Sequence, residues 1–124
     1  MYSVDSYSVL YRLLKERTKE QSISHKKLPS FDEHCNFIDS RPYLAWFLIQ
    51  DKEYVGSAYL TEKKEIGVFI FSKFQGKGYG EGAVKLLMGQ YDGPFYANIN
   101  PENQPSRKMF EKMGAELFQV TYKL

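Results

Sequence analysis

The sequence predicts a single α/β domain in which a mixed sheet carries helices on its faces. Apolar residues recur at helical spacing in some segments and form aromatic and β-branched runs in others, in the order α-α-β-β-β-α-β-α-β. The chain has 124 residues, of which 43% are hydrophobic and 26% charged, with Pro and Gly scattered along its length. This composition is typical of a globular protein, and the length suits one core. We therefore expect residues 1–124 to form one domain.

Two helices are predicted before the first strand. Residues 6–17 have helical spacing of apolar side chains, and Ser6 is available as an N-cap. The predicted buried stripe of this helix consists of Val9, Leu10, Leu13 and Leu14. Ser30 followed by Glu33 forms a capping-box pattern that opens a second helix. Its predicted buried side carries Phe31, His34, Phe37 and Ile38.

Three strands are predicted next. Residues 43–49 and 53–60 are rich in aromatic and β-branched residues, and the short segment 50–52 between them indicates a hairpin. Residues 65–71 form a nearly continuous apolar run, which predicts a central strand covered on both faces. Gly67 within that run marks a bulge or a close backbone approach.

The second half of the chain alternates helices and strands. A helix is predicted from Tyr79 to Gly93-Pro94, followed by a strand over residues 95–99. The apolar face of that helix is predicted to carry Val84, Leu87, Met88 and Tyr91. Pro105 suits the first turn of a helix running to Met113, and residues 117–122 have the pattern of a last strand.

Charge, cysteine and hydropathy patterns exclude several function classes. Seventeen Lys and Arg against fifteen Asp and Glu give a formal charge of +2, which lacks the basic stripe expected for nucleic-acid binding. Cys35 is the single cysteine, and His25 and His34 are isolated, so we expect no disulfide and no metal site. No signal peptide or membrane-spanning run is present, which predicts a cytoplasmic protein without a membrane partner.

A glycine-rich turn over residues 75–80 lies between a predicted strand and a helix. Its backbone N–H groups, together with the helix N-terminus, favour binding of an anion such as phosphate. A P-loop is excluded because Gly76-Lys77 is followed by Gly78 rather than Ser or Thr. A dinucleotide fingerprint is disfavoured because too little chain follows and no acidic residue stands near position 100. A connection that binds no ligand stays open on these residues alone.

The turn and a second segment together resemble a known family. Gln75, Gly78 and Gly80 match the Gln/Arg-x-x-Gly-x-Gly/Ala signature of the GNAT (general control non-derepressible-5-related N-acetyltransferase) superfamily. Residues 100–115 resemble its second signature, Asn-x-x-Asn-x-x-Ser, followed by an aromatic residue and a glycine. Residues 24–34 are more loosely similar to the substrate side of sugar-amine and ribosomal-protein acetyltransferases.

The resemblance implies a GNAT-like fold with a mostly antiparallel sheet that lacks the usual first strand, and it implies acetyl-CoA as cosubstrate. The pyrophosphate would bind the turn amides, and the pantetheine arm would pair with the preceding strand. The cofactor-binding residues implied in this way are Phe69, Ile70, Phe71, Gln75, Gly76, Lys77, Gly78, Tyr79, Gly80, Asn103 and Ser106. Lys77 and Lys108 would attract the CoA phosphates.

The resemblance also implies direct attack by a primary amine in a ternary complex. Glu65 stands near the position of the family's catalytic glutamate and is the candidate general base, and a backbone N–H near Ile70 is the candidate oxyanion donor. Many members carry a tyrosine as general acid where this chain has Phe110, so the acid is unassigned. Water or Tyr122 are the alternatives. The phenylalanine also leaves open a non-catalytic acyl-CoA sensor.

The acceptor side is the least defined part of the sequence. The residues considered for it are His25, Tyr43, Tyr59 and Asn98. An amino sugar, often nucleotide-linked, is the first acceptor hypothesis, and the α-amine of a protein, as in ribosomal-protein acetyltransferases, is the second. A structural subunit that binds nothing is a third reading of the chain. An exposed sheet edge favours a homodimer.

Overall fold

A computed structural model describes residues 4–17 and 28–124. The helices of the described residues are α1 (Val4–Glu16), α2 (Phe31–Asp39), α3 (Tyr79–Gln90) and α4 (Gln104–Lys112). The strands are β1 (Ala45–Asp51), β2 (Glu53–Leu60) and β3 (Ile66–Ile70), and a 3₁₀ turn spans Ser72–Phe74. The mixed α/β class and the order of the first elements therefore agree with the sequence pattern.

The three strands form an antiparallel sheet in the order β1-β2-β3. Lys52, with a φ of 66°, makes the reversal between β1 and β2. The prediction that the third strand is central is wrong, because β2 is the middle strand and β3 lies at the edge of the regular sheet. Residues 95–99 contribute only one parallel bridge, between Glu65 and Tyr96, instead of the predicted strand.

Helices cover both faces of the sheet, and the strand side chains alternate between them. On one face, α1 and α2 pack against Trp46, Leu48 and Phe69. The buried members of that cluster are Val9, Leu10, Leu13, Ile38 and Phe71. On the other face, α3 packs Val84 and Leu87 against Ala58, Leu60 and Ile66. The helical stripes of α1 and α3 are thus largely those that the sequence predicts, although Met88 is exposed.

The short helix α2 buries less than its apolar pattern predicts. His34 and Ile38 are buried, whereas the side chains of Phe31 and Phe37 are both 44% exposed. The two buried residues are four apart and lie on one narrow line of the helix, so a helix of nine residues presents only that line to the core. Phe31 instead packs edge-on against Tyr11, with ring centroids 5.3 Å apart.

Helix starts are partly as predicted. Ser30 Oγ accepts from Glu33 N–H (3.1 Å) and Glu33 Oε1 accepts from Ser30 N–H (2.8 Å), which confirms the capping box of α2. The prediction of Ser6 as N-cap is wrong, because α1 begins at Val4 and Ser6 lies buried inside it. Asn103 caps α4.

The predicted last strand over residues 117–122 is also wrong. The chain from Ala115 onward has no regular secondary structure, and the Leu117 and Tyr122 side chains are 87% and 85% exposed. Alternating apolar residues give a segment strand propensity, but a strand needs a neighbouring strand to receive its hydrogen bonds. No described strand pairs with this segment, whose contact with the rest of the chain includes the Phe118 and Tyr96 rings, 5.1 Å apart.

Two further features bear on function. None of the helices in the described ranges is long and apolar enough to cross a membrane. Within the same ranges, no group of three or more His, Cys, Asp or Glu side chains is arranged to hold a metal ion.

Candidate active site

A groove of about 380 Å³ lies between α1, β3, the glycine-rich turn and the start of α4. Its walls come from four parts of the chain that are distant in sequence. The β3 side is lined by Val68, Phe69 and Ile70, the turn side by Gln75, Gly76, Gly78, Tyr79 and Gly80, the α4 side by Asn103, Ser106, Lys108 and Met109, and the α1 side by Leu13, Glu16 and Arg17. Most of the predicted cofactor residues therefore meet in one depression.

The turn between β3 and α3 has the geometry of an anion site. Gly76 and Gly78 have φ values of 79° and 88°, a left-handed conformation that other residues adopt only at a cost. The N–H groups of the first turn of α3 have no acceptor within the helix, and they carry the positive end of the helix dipole. A Cβ built on Gly76 or Gly78 would meet no described atom within 4 Å, so the space in front of the turn is open. Backbone donors, a positive helix end and open space suit a phosphate group.

Side chains around the turn hold it in place. Gln75 Nε2 donates to the Ile70 carbonyl (3.1 Å), which ties the turn back to β3. Tyr79 Oη donates to Asp51 Oδ2 (2.7 Å), and this hydrogen bond raises the pKa of Tyr79. A Cβ on Gly80 would lie 3.3 Å from Met109 Sδ, so the small residue lets α3 approach α4 closely. The signature residues thus have structural tasks in addition to any contact with a ligand.

The groove exposes the open edge of β3. In an antiparallel pair, alternate residues direct their N–H and C=O groups toward the neighbouring strand. The Phe71 N–H donates to a β2 carbonyl (2.9 Å), whereas the Ile66 N–H faces the other way and donates to the Tyr96 carbonyl (2.7 Å). By the same alternation, the N–H groups of Val68 and Ile70 face away from β2. Because the chain after Tyr96 makes no further bridge to β3, these groups border the groove.

Of the three strand residues predicted to bind pantetheine, two line the groove and one does not. Ile70 and Phe69 line the groove. Phe71 is 3% exposed, lies in the core under α1, and uses its N–H within the sheet. Val68, which the sequence reasoning missed, supplies an open-edge backbone group instead. Strand alternation alone could have identified it, once the register with β2 was known.

The start of α4 closes the other side of the groove. Asn103 Oδ1 accepts from the Ser106 N–H (3.3 Å), so its amide caps the helix while bordering the groove. Lys108 also lines the groove. The Lys77 ammonium lies over the Phe74 ring, 5.8 Å from its centroid, and does not line the described groove. Of the two predicted lysines, only Lys108 borders the groove.

Glu65 stands at the start of β3 within a small polar network. Asn98 Nδ2 donates to Glu65 Oε2 (2.8 Å), and Thr61 Oγ1 lies 3.4 Å from Glu65 Oε1. The Glu65 N–H donates to Thr61 Oγ1 (3.0 Å), which fixes the backbone of the same residue. The structure thus brings together the candidate base and Asn98, which the sequence suggested for separate reasons. Thr61 was missed, because only the folded turn brings it back to Glu65.

Two tyrosines form a partly buried stack beside β3. The rings of Tyr43 and Tyr59 lie 4.1 Å apart and are inclined by 8°. Burial raises the pKa of Tyr43 to about 12 and also raises that of Tyr59, so both hydroxyls stay protonated at neutral pH. Gly67 makes room for Tyr59, because a Cβ there would lie 2.1 Å from Tyr59 Cζ. The close approach predicted at Gly67 is therefore made by a ring rather than by backbone, and the β2–β3 register continues through it without a bulge.

The remaining predicted residues lie elsewhere. Phe110 packs against the core cluster between α3 and the sheet, and the Tyr122 side chain is exposed in the C-terminal segment. Neither borders the described groove, and the same holds for Glu65, Asn98, Tyr43 and Tyr59. His25 falls outside the described residues.

Comparison with known proteins gives a family match over most of the chain. Residues 10–116 match the family model described as "Acetyltransferase (GNAT) domain". None of the curated proteins that were compared matches the chain.

Several solved structures share the fold. An N-acetyltransferase from Staphylococcus aureus Mu50 is similar with a TM-score of 0.75 and 15% identity, over 91% of this chain and 79% of that one. A ribosomal-protein-alanine N-acetyltransferase from Brucella melitensis has a TM-score of 0.73 and 16% identity, over 91% and 80% of the two chains. An acetyltransferase from Thermus thermophilus has a TM-score of 0.68 and 20% identity, over 91% and 82%. At these identities the likeness concerns the fold alone.

Proposed function

We propose that this chain, which belongs to the GNAT acetyltransferase family and is thus an acyl-CoA-dependent N-acetyltransferase, acetylates a primary amine of a small molecule such as an amino sugar or a sugar nucleotide. The amine attacks directly in a ternary complex with acetyl-CoA. The groove supports this proposal because it joins a turn whose geometry suits an anion to an open strand edge, and a long phosphorylated thioester needs both features.

The single observation that carries the proposal is the turn itself. Gly76 and Gly78 hold the left-handed conformation, so the backbone N–H groups before and within the first turn of α3 can converge on the pyrophosphate. The open-edge N–H and C=O groups of Val68 would bind the pantetheine arm as a neighbouring strand does, and the Ile70 N–H stays available for the reacting carbonyl. Lys108 adds positive charge on the α4 side of the groove.

Acetyl-CoA supplies the acetyl group as a thioester. The chain's residues must take a proton from the amine and stabilise negative charge that develops on the carbonyl oxygen. We assign the first task to Glu65, whose carboxylate is oriented by Asn98 and Thr61, and the second to the Ile70 N–H. An amine is protonated in water at neutral pH, so a fixed carboxylate that accepts its proton favours the attacking form.

No side chain with a titratable proton stands at position 110, where Phe110 packs in the core cluster. We propose that water protonates the leaving thiolate, since Tyr122 is 85% exposed and does not border the described groove. Phe110 also favours one alternative, an acyl-CoA sensor that binds the cosubstrate without efficient transfer. A protein α-amine is the alternative acceptor, in keeping with the name of the Brucella structure.

Calorimetric titration with acetyl-CoA tests the cosubstrate site. Gly78→Glu places a carboxylate in the open space before the turn and imposes the left-handed φ on a residue with a Cβ, so we expect at least a tenfold loss of affinity. Gly82→Glu is the matched control. It adds the same charge four residues later, at an exposed helical position where a Cβ meets nothing within 4 Å. Equal affinity in the two variants, or no binding by the wild type, would contradict the proposed site.

Steady-state transfer assays then separate an enzyme from a sensor. Glucosamine serves as the amino-sugar acceptor and an unmodified alanyl peptide as the protein-like acceptor. We expect Glu65→Gln to lower kcat by about 10²-fold or more without changing the Kd of acetyl-CoA. The control Glu62→Gln removes an exposed carboxylate from the preceding turn and should leave both constants unchanged. Binding of acetyl-CoA without transfer to either acceptor would favour the sensor.

A further inference from the structure

Arg17 follows the last residue of α1 and borders the groove. Its guanidinium lies over the Phe69 ring, with Cζ 4.2 Å from the ring centroid. The position is partly buried, and burial lowers the pKa of Arg17 without making it neutral at physiological pH. A cation is thus held against the strand that forms the floor of the groove.

This cation has no anionic partner in the part of the chain that the structure describes. Arg17 Nε is buried there and finds no hydrogen-bond acceptor. Within the described ranges no ion pair joins Arg17 to the neighbouring Glu16, whose Oε1 instead accepts from both the N–H and the hydroxyl of Ser72 (2.6 and 2.9 Å). A partly buried charge without a partner is costly, and such groups are common at binding sites.

Arg17 lies on the α1 and α2 face of the sheet, which we assign to the acceptor. Phe69 faces the α1 and α2 layer, whereas the glycine-rich turn leads into α3 on the opposite face of the sheet. Tyr59 and Tyr43 act electrostatically on Arg17. Neither tyrosine hydroxyl has a hydrogen-bond partner among residues 4–17 and 28–124, so both can donate to a ligand.

A cation and a carboxylate both act on the Tyr59 hydroxyl: Arg17 lowers its pKa and Glu65 raises it. An acceptor with its amine near Glu65 and a negative group near Arg17 would complement both charges. Building on the proposed function, we infer that Arg17 anchors an anionic group, a carboxylate or a phosphate, on the amine that receives the acetyl group.

The guanidinium suits this task because its planar donors match two oxygens of either anion. The Phe69 ring beneath it fixes its orientation, and the Tyr43 and Tyr59 hydroxyls add neutral donors beside it. A site built to hydrogen-bond one substrate group rejects the analogue that lacks the group, since its buried donors are then left unpaired. Arg17 is therefore a specificity-determining residue.

The test uses pairs of acceptors that differ in one anionic group. Glucosamine 6-phosphate is compared with glucosamine, and alanine with alanine amide, each titrated calorimetrically into protein saturated with CoA. This readout needs no turnover, and the prior titration with CoA tests the cosubstrate site separately. We expect the wild type to bind the anionic member of at least one pair about tenfold or more tightly. The pair that shows the preference distinguishes phosphate from carboxylate.

Arg17→Met should abolish this preference, and Arg17→Lys should retain part of it, because an ammonium keeps the charge but loses the planar donors. The matched control is Arg12→Met on the same helix. Arg12 lies over the Phe71 ring at 4.8 Å and does not border the described groove, so this variant should keep the wild-type preference. CoA binding by Arg12→Met should equal that of the wild type, and each Arg17 variant is first titrated with CoA so that all acceptor affinities are compared at saturation. The inference is overturned if the wild type shows no preference in either pair, or if Arg17→Met weakens both members equally.

Discussion

Replacing Gly67 with alanine should destabilise the protein through a single neighbour, the Tyr59 ring. A Cβ at Gly67 would lie 2.1 Å from Tyr59 Cζ and 2.5 Å from its hydroxyl oxygen. The ring must therefore retreat by more than about 1 Å to reach the ordinary separation of about 3.5 Å. The φ of Gly67 is not in the left-handed region, so alanine causes no backbone strain of that kind. The cost arises from the displaced ring.

The expected size of the effect follows from three contributions. Forcing an extra methyl group into a packed site costs about 1–3 kcal/mol. Disturbing the stack of Tyr59 on Tyr43 adds about 0.5–1.5 kcal/mol. Replacing a glycine in a strand returns about 0.5–1 kcal/mol, because the unfolded chain has less freedom to lose. The net loss of unfolding free energy should be about 2 kcal/mol.

Urea unfolding of the four proteins in a double-mutant cycle measures how much of the cost of Gly67→Ala depends on the Tyr59 ring. In a Tyr59→Ala background the obstructing ring is gone, so adding Gly67→Ala should change the unfolding free energy by less than about 0.5 kcal/mol. Gly82→Ala, at an exposed helical position with open space, should stabilise the protein by up to about 1 kcal/mol. An equal cost for Gly67→Ala with and without the Tyr59 ring would refute the reasoning. Acetyl-CoA affinity should be unchanged in Gly67→Ala.

Four further predictions concern the core, a helix cap and two ionisable side chains. Leu87→Ala removes a side chain with 0% exposure and should cost about 2–5 kcal/mol in urea unfolding, whereas Leu86→Ala, at a 51% exposed neighbour, should cost under about 1 kcal/mol. Ser30→Ala should cost about 1 kcal/mol by removing the cap of α2. Hydrogen bonds from the Ser30 backbone and side chain lower the pKa of Glu33. Its contribution to the unfolding free energy is therefore complete above the unfolded pKa and should be lost as the pH falls through the folded pKa. The difference in unfolding free energy between wild type and Glu33→Ala should accordingly shrink in acid. Burial raises the pKa of Tyr43 to about 12. The contribution of Tyr43 to the unfolding free energy is therefore complete below its pKa in the unfolded chain, near 10, and should decrease as the pH rises toward 12. Tyr43→Phe should remove one late-ionising phenol from an alkaline absorbance titration, and a phenol that ionises near pH 10 would contradict this prediction.

Local patterns predicted local structure well. The bounds of β2, the start of α3 at Tyr79 and the capping box at Ser30 follow from residues within a few positions of one another. The same holds for the glycine-rich turn, because the left-handed conformation at Gly78 depends on that residue's own backbone. These elements needed no knowledge of distant contacts.

Failures occurred where a segment depends on a distant partner. Residues 117–122 have the alternation of a strand, but the structure describes no strand beside them, so the pattern has nothing to pair with. The continuous apolar run at β3 predicted a central strand, and the position at the sheet edge was decided by the chain after Tyr96, which leaves β3 after one bridge. That departure also creates the open edge along the groove.

The sequence by itself determined the family and the fold class, because the Gln75 to Gly80 signature and the spacing to residues 100–115 are written in consecutive letters. Only the tertiary structure decided which side chains meet. The hydrogen bond between Glu65 and Asn98 joins residues 33 positions apart, and the contact of the Arg17 guanidinium with the Phe69 ring joins the end of α1 to β3. Such contacts depend on how helices and strands pack across the sheet. Because the packing energy is shared among many residues, no local sequence pattern indicates any one of these contacts.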